Sequence, residues 1–385
     1  MLTRILADNF RALVNFEFRP GKLCLLLGDN SSGKSSLFEV LASISDLIVR
    51  GRPVAELFQG SQTRWDTRDV QRFELDVEGE EGMFRYALEI KQPQENVQSP
   101  QPPTIRSEVV TCNGDALYRF ADGEVHLHGD HGRPNADFPF QSNQSFLANL
   151  DTRAYRLGWF KSFVEGIRIL QPNPFGMEKT TRQEFPILDR WCRTLPSYFA
   201  YLNGERPDVR SELETRLREV MPGFLNFKLP RQGEDKLLLA VFENQKGQLG
   251  LPASGAQGAQ GPQGDQRQKP PEFGLLELSE GQRVLIAIYA ALYGMLGPQS
   301  LLCFDEPDNF VSLPEVQPWL QELRDSLEQR GGQAMVISHH PEVIDYLAVD
   351  SAWRFERPAG AVVARELDFA SPPELKPSEI IARGG

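Results

Sequence analysis

The hydrophobic pattern near the start of the chain predicts strands, a loop and an amphipathic helix. Residues 3–18 alternate loosely between apolar and polar, which predicts a half-buried pair of strands. The segment "KLCLLLG" (22–28) is a continuous apolar run that ends in glycine, and this pattern is typical of a strand buried on both faces. After the loop 28–36, apolar residues recur at helical spacing at Leu37, Phe38, Val40, Leu41, Ile44, Leu47 and Ile48.

The pattern changes twice further along the chain. Over about 66–130, segments such as "RFELDVEG" and "FRYALEIK" predict antiparallel strands joined by Gly- and Asp-containing turns. From about 145 to 225 the pattern becomes helical, most clearly in "RSELETRLREVM". Residues 249–272 are poor in apolar residues and rich in Gly, Gln and Pro, which predicts a flexible surface loop.

After residue 273 an apolar helix is followed by alternating strands and helices. The segments "SLLCF" and "QAMVIS" predict buried strands with a helix between them, and "SAWRFER" and "AVVARELD" predict two more strands. This alternation around a glycine-rich loop predicts an α/β fold with a mostly parallel sheet. We expect one composite domain in three sections. Residues 1–145 hold the loop and a β-rich lobe, residues 146–272 form a helical lobe, and residues 273–385 complete the sheet.

Composition excludes several classes of protein. The 385 residues carry a net charge of -12, which argues against a surface that coats nucleic acid non-specifically. One group of basic residues has two possible interpretations, a local basic patch or scattered solvated charge. The group comprises Arg50, Arg52, Arg64, Arg68, Arg72, Arg153, Arg156 and Lys161.

The chain also lacks the marks of a secreted or membrane protein. The four cysteines lie far apart without a C-x-x-C pair, which predicts neither disulfides nor a zinc site. The N-terminus does not look like a signal peptide, and the longest apolar run, Val284 to Leu296, is shorter than the roughly 20 residues of a membrane span. We expect a soluble, cytoplasmic protein.

The loop "GDNSSGKSS" matches the pattern G-x-x-x-x-G-K-[ST] from Gly28 through Ser35. Gly28 and Gly33 let the backbone curl so that its N–H groups point at phosphate oxygens. Lys34 supplies a positive charge for the β- and γ-phosphates, and the Ser35 hydroxyl is a ligand for Mg²⁺. The helix that begins here adds its positive dipole end. The motif therefore predicts a site for ATP and Mg²⁺.

More polar residues follow the two later buried strands. Asp305 and Glu306 end the run "LLCFDEPD", at the strand end where α/β sheets bind ligands. We expect Asp305 to hold Mg²⁺ through water, and Glu306 to orient or deprotonate the attacking water. The strand "QAMVIS" delivers His339 to the same edge, where it would hydrogen-bond the γ-phosphate. The neighbouring His340 is a rival for this role.

A second helix start suited to anions lies in "LELSEGQRVLIAIYAAL" (276–292). Ser279 and Gln282 are spaced as a capping box, so a helix should begin there with N–H groups near the surface. Gly281 leaves room for a phosphate to reach the backbone. If this helix start contacts the nucleotide that is bound by a 28–36 loop, the simplest arrangement is that the helix and the loop belong to two different copies of the protein. An ordinary well-capped helix is the alternative.

The motif "LSEGQ" resembles the signature sequence of the ABC-type ATPases. Its order with "GDNSSGKSS", "LLCFDEP" and "VISHHPEVID" reproduces the order of motifs in that superfamily, and the details resemble the soluble branch that includes the RecF, SMC and OLD-type ATPases. The motifs cover roughly 1–50 and 273–346. The resemblance implies an ATPase head with an antiparallel β lobe and a helical lobe that carries the signature.

The resemblance also implies roles for particular residues. Two heads would enclose two ATP molecules, so that Ser279, Gly281 and Gln282 would act in trans, and Asp308 would lie in the loop that couples the two sites. Within one head, the residues implied to contact ATP are Gly28, Asn30, Ser31, Ser32, Gly33, Lys34, Ser35 and Ser36.

Two implied positions are less specific. The family's glutamine, a metal ligand, would fall in "FQSNQSFLANL", where we favour Gln144 over Gln141, although both could be polar loop residues. The nucleoside contact would fall near Asn9 to Arg11, and Arg11 is either that contact or an ordinary surface arginine.

The function that the resemblance implies is an ATP-hydrolysing switch that assembles as a homodimer or higher homo-oligomer. It would act on DNA or on a separate effector, such as a nuclease or toxin, in DNA repair or anti-phage defence. The alternative is the nucleotide-binding subunit of a membrane transporter, which the large β lobe and the long gap before the signature disfavour. A nuclease in the same chain is also disfavoured, because few residues follow His339.

Overall fold

The computed structural model describes residues 1–93, 101–129, 134–150, 156–244, 269–358, 360–369 and 375–383. The chain folds into two compact units, the first made of Met1–Gln171 with Met295–Gly385 and the second of Pro172–Gly294. Most of the predicted flexible loop, 249–272, lies outside the described residues. The division into three sections stays a prediction.

An antiparallel sheet in the first unit corresponds to the predicted β-rich lobe. Its strands are β1 (Leu2–Asp8), β2 (Phe16–Phe18), β4 (Val70–Gly79), β5 (Gly82–Lys91), β6 (Thr104–Cys112), β7 (Asp115–Ala121), β8 (Glu124–His128) and β9 (Pro134–Pro139). They pair in the order β2-β1-β4-β5-β6-β7-β8-β9. The turns Asn113-Gly114 and Asp122-Gly123 have positive φ at both residues, which suits tight hairpins between twisted strands.

The other sheet of the first unit is mostly parallel, as predicted. Its strands are β3 (Leu23–Leu27), β10 (Ile167–Leu170), β17 (Leu301–Asp305), β18 (Gln333–Ile337), β19 (Ala352–Glu356) and β20 (Val363–Leu367). The order is β10-β17-β18-β3-β19-β20, and only the pairing of β19 with β20 is antiparallel among these described strands. The carboxyl ends of β3, β17 and β18 therefore meet at one edge, which is where the sequence motifs lie.

The described residues of the first unit also form helices. They are α1 (Lys34–Val49), α2 (Val54–Phe58), α3 (Arg156–Glu165), α7 (Leu313–Arg330), α8 (Pro341–Leu347) and α9 (Pro377–Ala382). Every apolar position of the stripe predicted over 37–48 is buried in α1. These side chains share a hydrophobic core with residues of both sheets, so α1 and the loop before it are held by the main core of the unit.

The described residues of the second unit form helices and two small sheets. The helices are α4 (Leu195–Glu205), α5 (Pro207–Val220) and α6 (Glu280–Gly294), and the strands are β11 (Thr180–Thr181), β12 (Phe224–Lys228), β13 (Arg231–Gln232), β14 (Asp235–Leu237), β15 (Leu239–Phe242) and β16 (Glu272–Gly274). Helix α6 carries the signature at its start and is buried from Arg283 to Tyr293. No helix in the described ranges combines the length and the apolar character that a membrane span requires.

Candidate nucleotide-binding site

The phosphate loop joins β3 to α1 and depends on two glycines. Gly28 has φ 137° and Gly33 has φ 105°, conformations that other residues rarely adopt. A Cβ at Gly28 would lie 2.2 Å from the carbonyl oxygen of Phe355, and one at Gly33 would lie 2.6 Å from Cγ2 of Val362. Gly33 is the N-cap of α1 and supplies no side chain to cap it. The backbone N–H groups at this helix start are therefore left for another acceptor.

Lys34 lies buried within the curl of the loop. Its Nζ donates to the carbonyl oxygens of Gly28 at 2.5 Å and Asp29 at 3.0 Å. Burial lowers the pKa of Lys34, and the carboxylates of Glu306, Asp305 and Asp29 partly oppose this effect. An ammonium that is held by backbone carbonyls can bind an anion, since a phosphate can replace those weaker partners.

Asp305 and Glu306 follow directly at the carboxyl end of β17. Asp305 is buried, whereas the Glu306 backbone turns out of the strand with φ 50°. The Glu306 N–H donates to the carbonyl oxygen of Ile337 at 2.9 Å, and Asn309 donates from Nδ2 to Glu306 Oε2 at 2.9 Å. Because a positive φ is costly outside glycine, this carboxylate is held in place by its surroundings rather than by intrinsic preference.

The structure separates the two neighbouring histidines. Nε2 of His339 lies 3.9 Å from Oε1 of Glu306, and about half of the His339 side chain is exposed. His340 is instead the N-cap of α8, where its Nδ1 accepts from the N–H of Glu342 at 3.2 Å. His340 thus has a structural task, while His339 shares an edge with Glu306.

Asp308 lies buried in the loop that leads from Glu306 to α7. It forms a side-chain hydrogen bond with Ser338, the residue before His339. Burial raises the pKa of Asp308, which this hydrogen bond and the nearby His340 oppose. The loop after β17 and the loop after β18 are therefore joined by a buried polar contact.

The phosphate loop and Glu306 line a cavity of about 620 Å³ in the first unit, whose lining does not include Asp305, Asp308 or His339. This volume falls within the usual range of small-molecule sites. Its lining contains Asn30 to Ser36 of the phosphate loop and Glu306. The sequence did not single out four other lining residues for nucleotide binding: Gln62, Arg64, Trp65 and Arg357. No local motif marks them, because they come together only in the fold.

Arg11 also lines the cavity, but it has other contacts. Its Nη1 lies 2.5 Å from Oε2 of Glu39, and its N–H donates to the carbonyl oxygen of Ser61 at 2.7 Å. Arg11 has φ 54°, so the backbone there is fixed in a left-handed conformation. The structure places Arg11 where a nucleoside could reach it, and its role stays a prediction.

Gln144 lies elsewhere in the first unit. It lines a separate cavity of about 530 Å³ together with Gln141, Phe140 and Asn149. Among the described residues, Gln144 does not belong to the lining of the phosphate-loop cavity. The structure therefore does not distinguish Gln144 from Gln141, and the assignment of a metal ligand here stays a prediction.

The signature lies at the start of α6 in the second unit. The Ser279 N–H donates to Oε1 of Gln282 at 3.0 Å, and the Gln282 N–H donates to Oγ of Ser279 at 3.2 Å. This reciprocal pair is the capping box predicted from the spacing. Arg283 follows and donates from Nη1 to the carbonyl oxygen of Pro174 at 2.6 Å, which anchors the first turn within the second unit.

The chain is similar to known proteins in part of its sequence and in its fold. Residues 195–345 match the family described as "AAA domain, putative AbiEii toxin, Type IV TA system". The fold is similar to an SMC head bound to the C-terminal winged-helix domain of ScpA, with a TM-score of 0.53, 11% identity and coverage of 96% of this chain and 98% of that one. The SMC head domain from Thermotoga maritima aligns over 95% of this chain and 99% of its own, with a TM-score of 0.49 and 12% identity. The chain therefore shares the fold of an SMC head, and its residues 195–345 match an AAA domain family.

One curated protein is similar over a shorter stretch. Protein ea59 of Escherichia phage lambda is 30% identical over 88 residues, which is 23% of this chain. The match spans only 17% of the length of ea59. It therefore supports a relationship over that stretch and says little about the activity of the whole protein.

The basic patch considered from the sequence is largely neutralised by neighbouring carboxylates in the structure. Carboxylate partners lie beside most of its arginines, in the pairs Arg50–Asp46, Arg52–Asp46, Arg68–Asp8, Arg72–Glu74 and Arg156–Glu81. Lys161 donates to backbone carbonyls at 2.9 and 2.7 Å, and Arg153 lies outside the described residues. Charge compensation favours the alternative of scattered, solvated charge over a dedicated DNA surface.

Proposed function

We propose that the protein binds and hydrolyses ATP with Mg²⁺ and works as a nucleotide-driven switch. The observation that carries this proposal is the shared cavity, because an uncapped helix start, a buried lysine and the carboxylate of Glu306 converge there. Phosphate oxygens would accept from the backbone N–H groups of the loop, and Lys34 would contact the β- and γ-phosphates.

The residues present suit Mg²⁺ better than a metal held by protein alone. Among the described residues, no group of three or more His, Cys, Asp and Glu side chains could hold a metal ion. Mg²⁺ in phosphate sites needs only one or two protein ligands, since phosphate oxygens and water complete its shell. Ser35 and Asp305 would hold it here, and the ion would neutralise phosphate charge.

Glu306 and His339 would act on the far side of the γ-phosphate. Glu306 would orient and deprotonate the attacking water, while His339, 3.9 Å from Glu306, would donate to the γ-phosphate. The positive φ of Glu306 and its contact with Asn309 support this role, because both fix the direction of the carboxylate.

The signature would complete the site of a second copy. Ser279, Gly281 and Gln282 would face the triphosphate bound by the partner head, so that hydrolysis requires a homodimer. The capped helix start in the second unit supports this proposal, because its first turn is held in a fixed geometry before any ligand arrives.

The biological role would be control of a separate effector in the cytoplasm, in DNA repair or defence against phage. The matched family description names a toxin system, the solved SMC head is bound to a domain of ScpA, and ea59 comes from a phage. These names support a protein partner, such as a toxin or nuclease, with DNA as a further ligand to test.

The test uses Glu306→Gln, which keeps the shape of the side chain and removes its charge. ATP should still bind, hydrolysis should fall by at least about 100-fold, and light scattering should show a larger species in ATP and Mg²⁺. Adding Ser279→Arg should abolish that larger species.

The matched control is Glu366→Gln, an exposed glutamate on β20, which should hydrolyse ATP like the wild type. Hydrolysis by Glu306→Gln at the wild-type rate would contradict the catalytic assignment. An unchanged larger species in the double variant would contradict the action of the signature in trans.

A further inference from the structure

One of the side chains that line the cavity is an exposed aromatic ring. Trp65 is 53% exposed although it lies among cavity residues. Large aromatic side chains usually bury most of their surface, so an exposed ring inside a cavity has an unused face for a flat ligand.

The guanidinium of Arg357 lies over the Trp65 ring at 5.8 Å from its centroid. This distance is within the range of a cation–π contact. Arg357 is itself anchored, because its Nε donates to the carbonyl oxygen of Gly360 at 2.9 Å and its Nη1 donates to that of Ser31 at 3.3 Å. Since Ser31 belongs to the phosphate loop, Arg357 connects the triphosphate region to the ring of Trp65.

The loop that carries Trp65 is fixed from below by a buried side chain. Asn9 is fully buried, and its Oδ1 accepts from the N–H of Thr63 at 3.1 Å. Its Nδ2 donates to the carbonyl oxygens of Arg68 at 2.8 Å and Val70 at 3.0 Å. Asn9 thus holds the loop on both sides of Trp65, so the ring is presented by a braced segment.

We infer that Trp65 and Arg357 form the site for the purine base of the nucleotide, an inference that rests on the proposed function. The base would stack on the aromatic face of Trp65, with the phosphates at Lys34. The free energy of stacking increases with the area of the stacked ring. Because a purine has a larger ring system than a pyrimidine, purine nucleotides should bind more tightly. Arg11 would then be a neighbour of the nucleoside rather than its main contact.

The experiment compares a nucleotide with a probe that lacks the base. Equilibrium binding of Mg-ATP and of Mg-ribose-5-triphosphate is measured for the wild type, Trp65→Ala and Trp65→Phe. Trp65→Ala should weaken the binding of ATP about 5- to 100-fold, because stacking on one base has an effect of this size. The binding of ribose-5-triphosphate should be unchanged. Trp65→Phe, which keeps a ring, should weaken ATP less than about fivefold.

The matched control is Trp191→Ala in the second unit. Trp191 is 42% exposed and also has an arginine over its ring, Arg193 at 4.9 Å, but it lies outside the cavity. This variant should bind both probes like the wild type. As an independent readout, ATP should quench the fluorescence of the wild type, while ribose-5-triphosphate should quench much less and Trp65→Phe should lose most of the ATP signal.

The results separate this inference from the proposed function. If the wild type binds both probes and Trp65→Ala binds ATP normally, or weakens both probes equally, the base site is wrong and the ATP site stands. If the wild type binds neither probe, the proposed function and the base site both fail.

Discussion

The starts of α1 and α6 are both glycine-bearing turns that lead into buried helices, but their N–H groups are treated differently. At α1, Gly33 has φ 105° and offers no capping side chain. At α6, the side chains of Ser279 and Gln282 cap each other's backbone N–H groups. A phosphate at α1 would meet N–H groups that no side chain caps, whereas at α6 two N–H groups already have side-chain acceptors.

If both helix starts bind phosphate, as proposed, this difference implies that the two sites have unequal affinity. Lys34 adds a buried cation to the first site, and Glu306 is brought beside it by the sheet. At the signature the buried cation, Arg283, is held by the carbonyl oxygen of Pro174. We therefore expect the first site to determine affinity and the second to determine assembly.

The largest expected effect comes from a substitution that disrupts only the site at the start of α1. Lys34→Ala should weaken ATP binding by at least about 30-fold, because it removes a buried charge that pairs with the phosphates. Ser279→Arg, at the second site, should bind ATP within about threefold of the wild type and lose hydrolysis. Equilibrium binding and turnover are measured on both variants. Equal loss of binding in the two would show that the signature serves its own head.

A single type of substitution should have opposite effects on stability at the two helix starts. Gly33→Ala should destabilise the protein by about 1–3 kcal/mol, since alanine at φ 105° is strained and its Cβ would meet Val362. Gly281→Ala lies inside α6 and should stabilise the protein by up to about 1 kcal/mol. Urea unfolding of both variants gives the sign. Destabilisation by Gly281→Ala would mean that the start of α6 also needs the backbone freedom of glycine.

The sequence predicted features that depend on neighbouring residues. It missed features that form only when the sheets bring distant residues together. The stripe of α1, the loop 28–36 and the capping box each depend on residues a few positions apart, so their patterns could be read directly. The strand β10 was missed because "IRIL" is short and lies in a helical section, and only its pairing with β17 identifies it. Trp65 and Arg357 could not be paired from sequence, because the pairing of β19 with β3 is what places Arg357 beside Ser31.

The smallest expected effect at neutral pH concerns the charge at the first helix start. Burial lowers the pKa of Lys34, and contact with a triphosphate would raise it again, because anions favour the charged form. ATP affinity should therefore be full below the lowered pKa of the free head. It should be lost as pH rises through the higher pKa of the complex.

Titration of ATP binding from neutral to alkaline pH tests this expectation, with circular dichroism to verify that the protein stays folded. Lys34→Arg keeps its charge throughout this range, so its affinity, although weaker at neutral pH, should change little. The wild type should lose affinity from below the ordinary lysine range, because its ammonium is already partly destabilised by burial. A wild-type profile as flat as that of Lys34→Arg would show that the lysine is not buried enough to titrate early. The contrast between the two helix starts would then depend on backbone geometry alone.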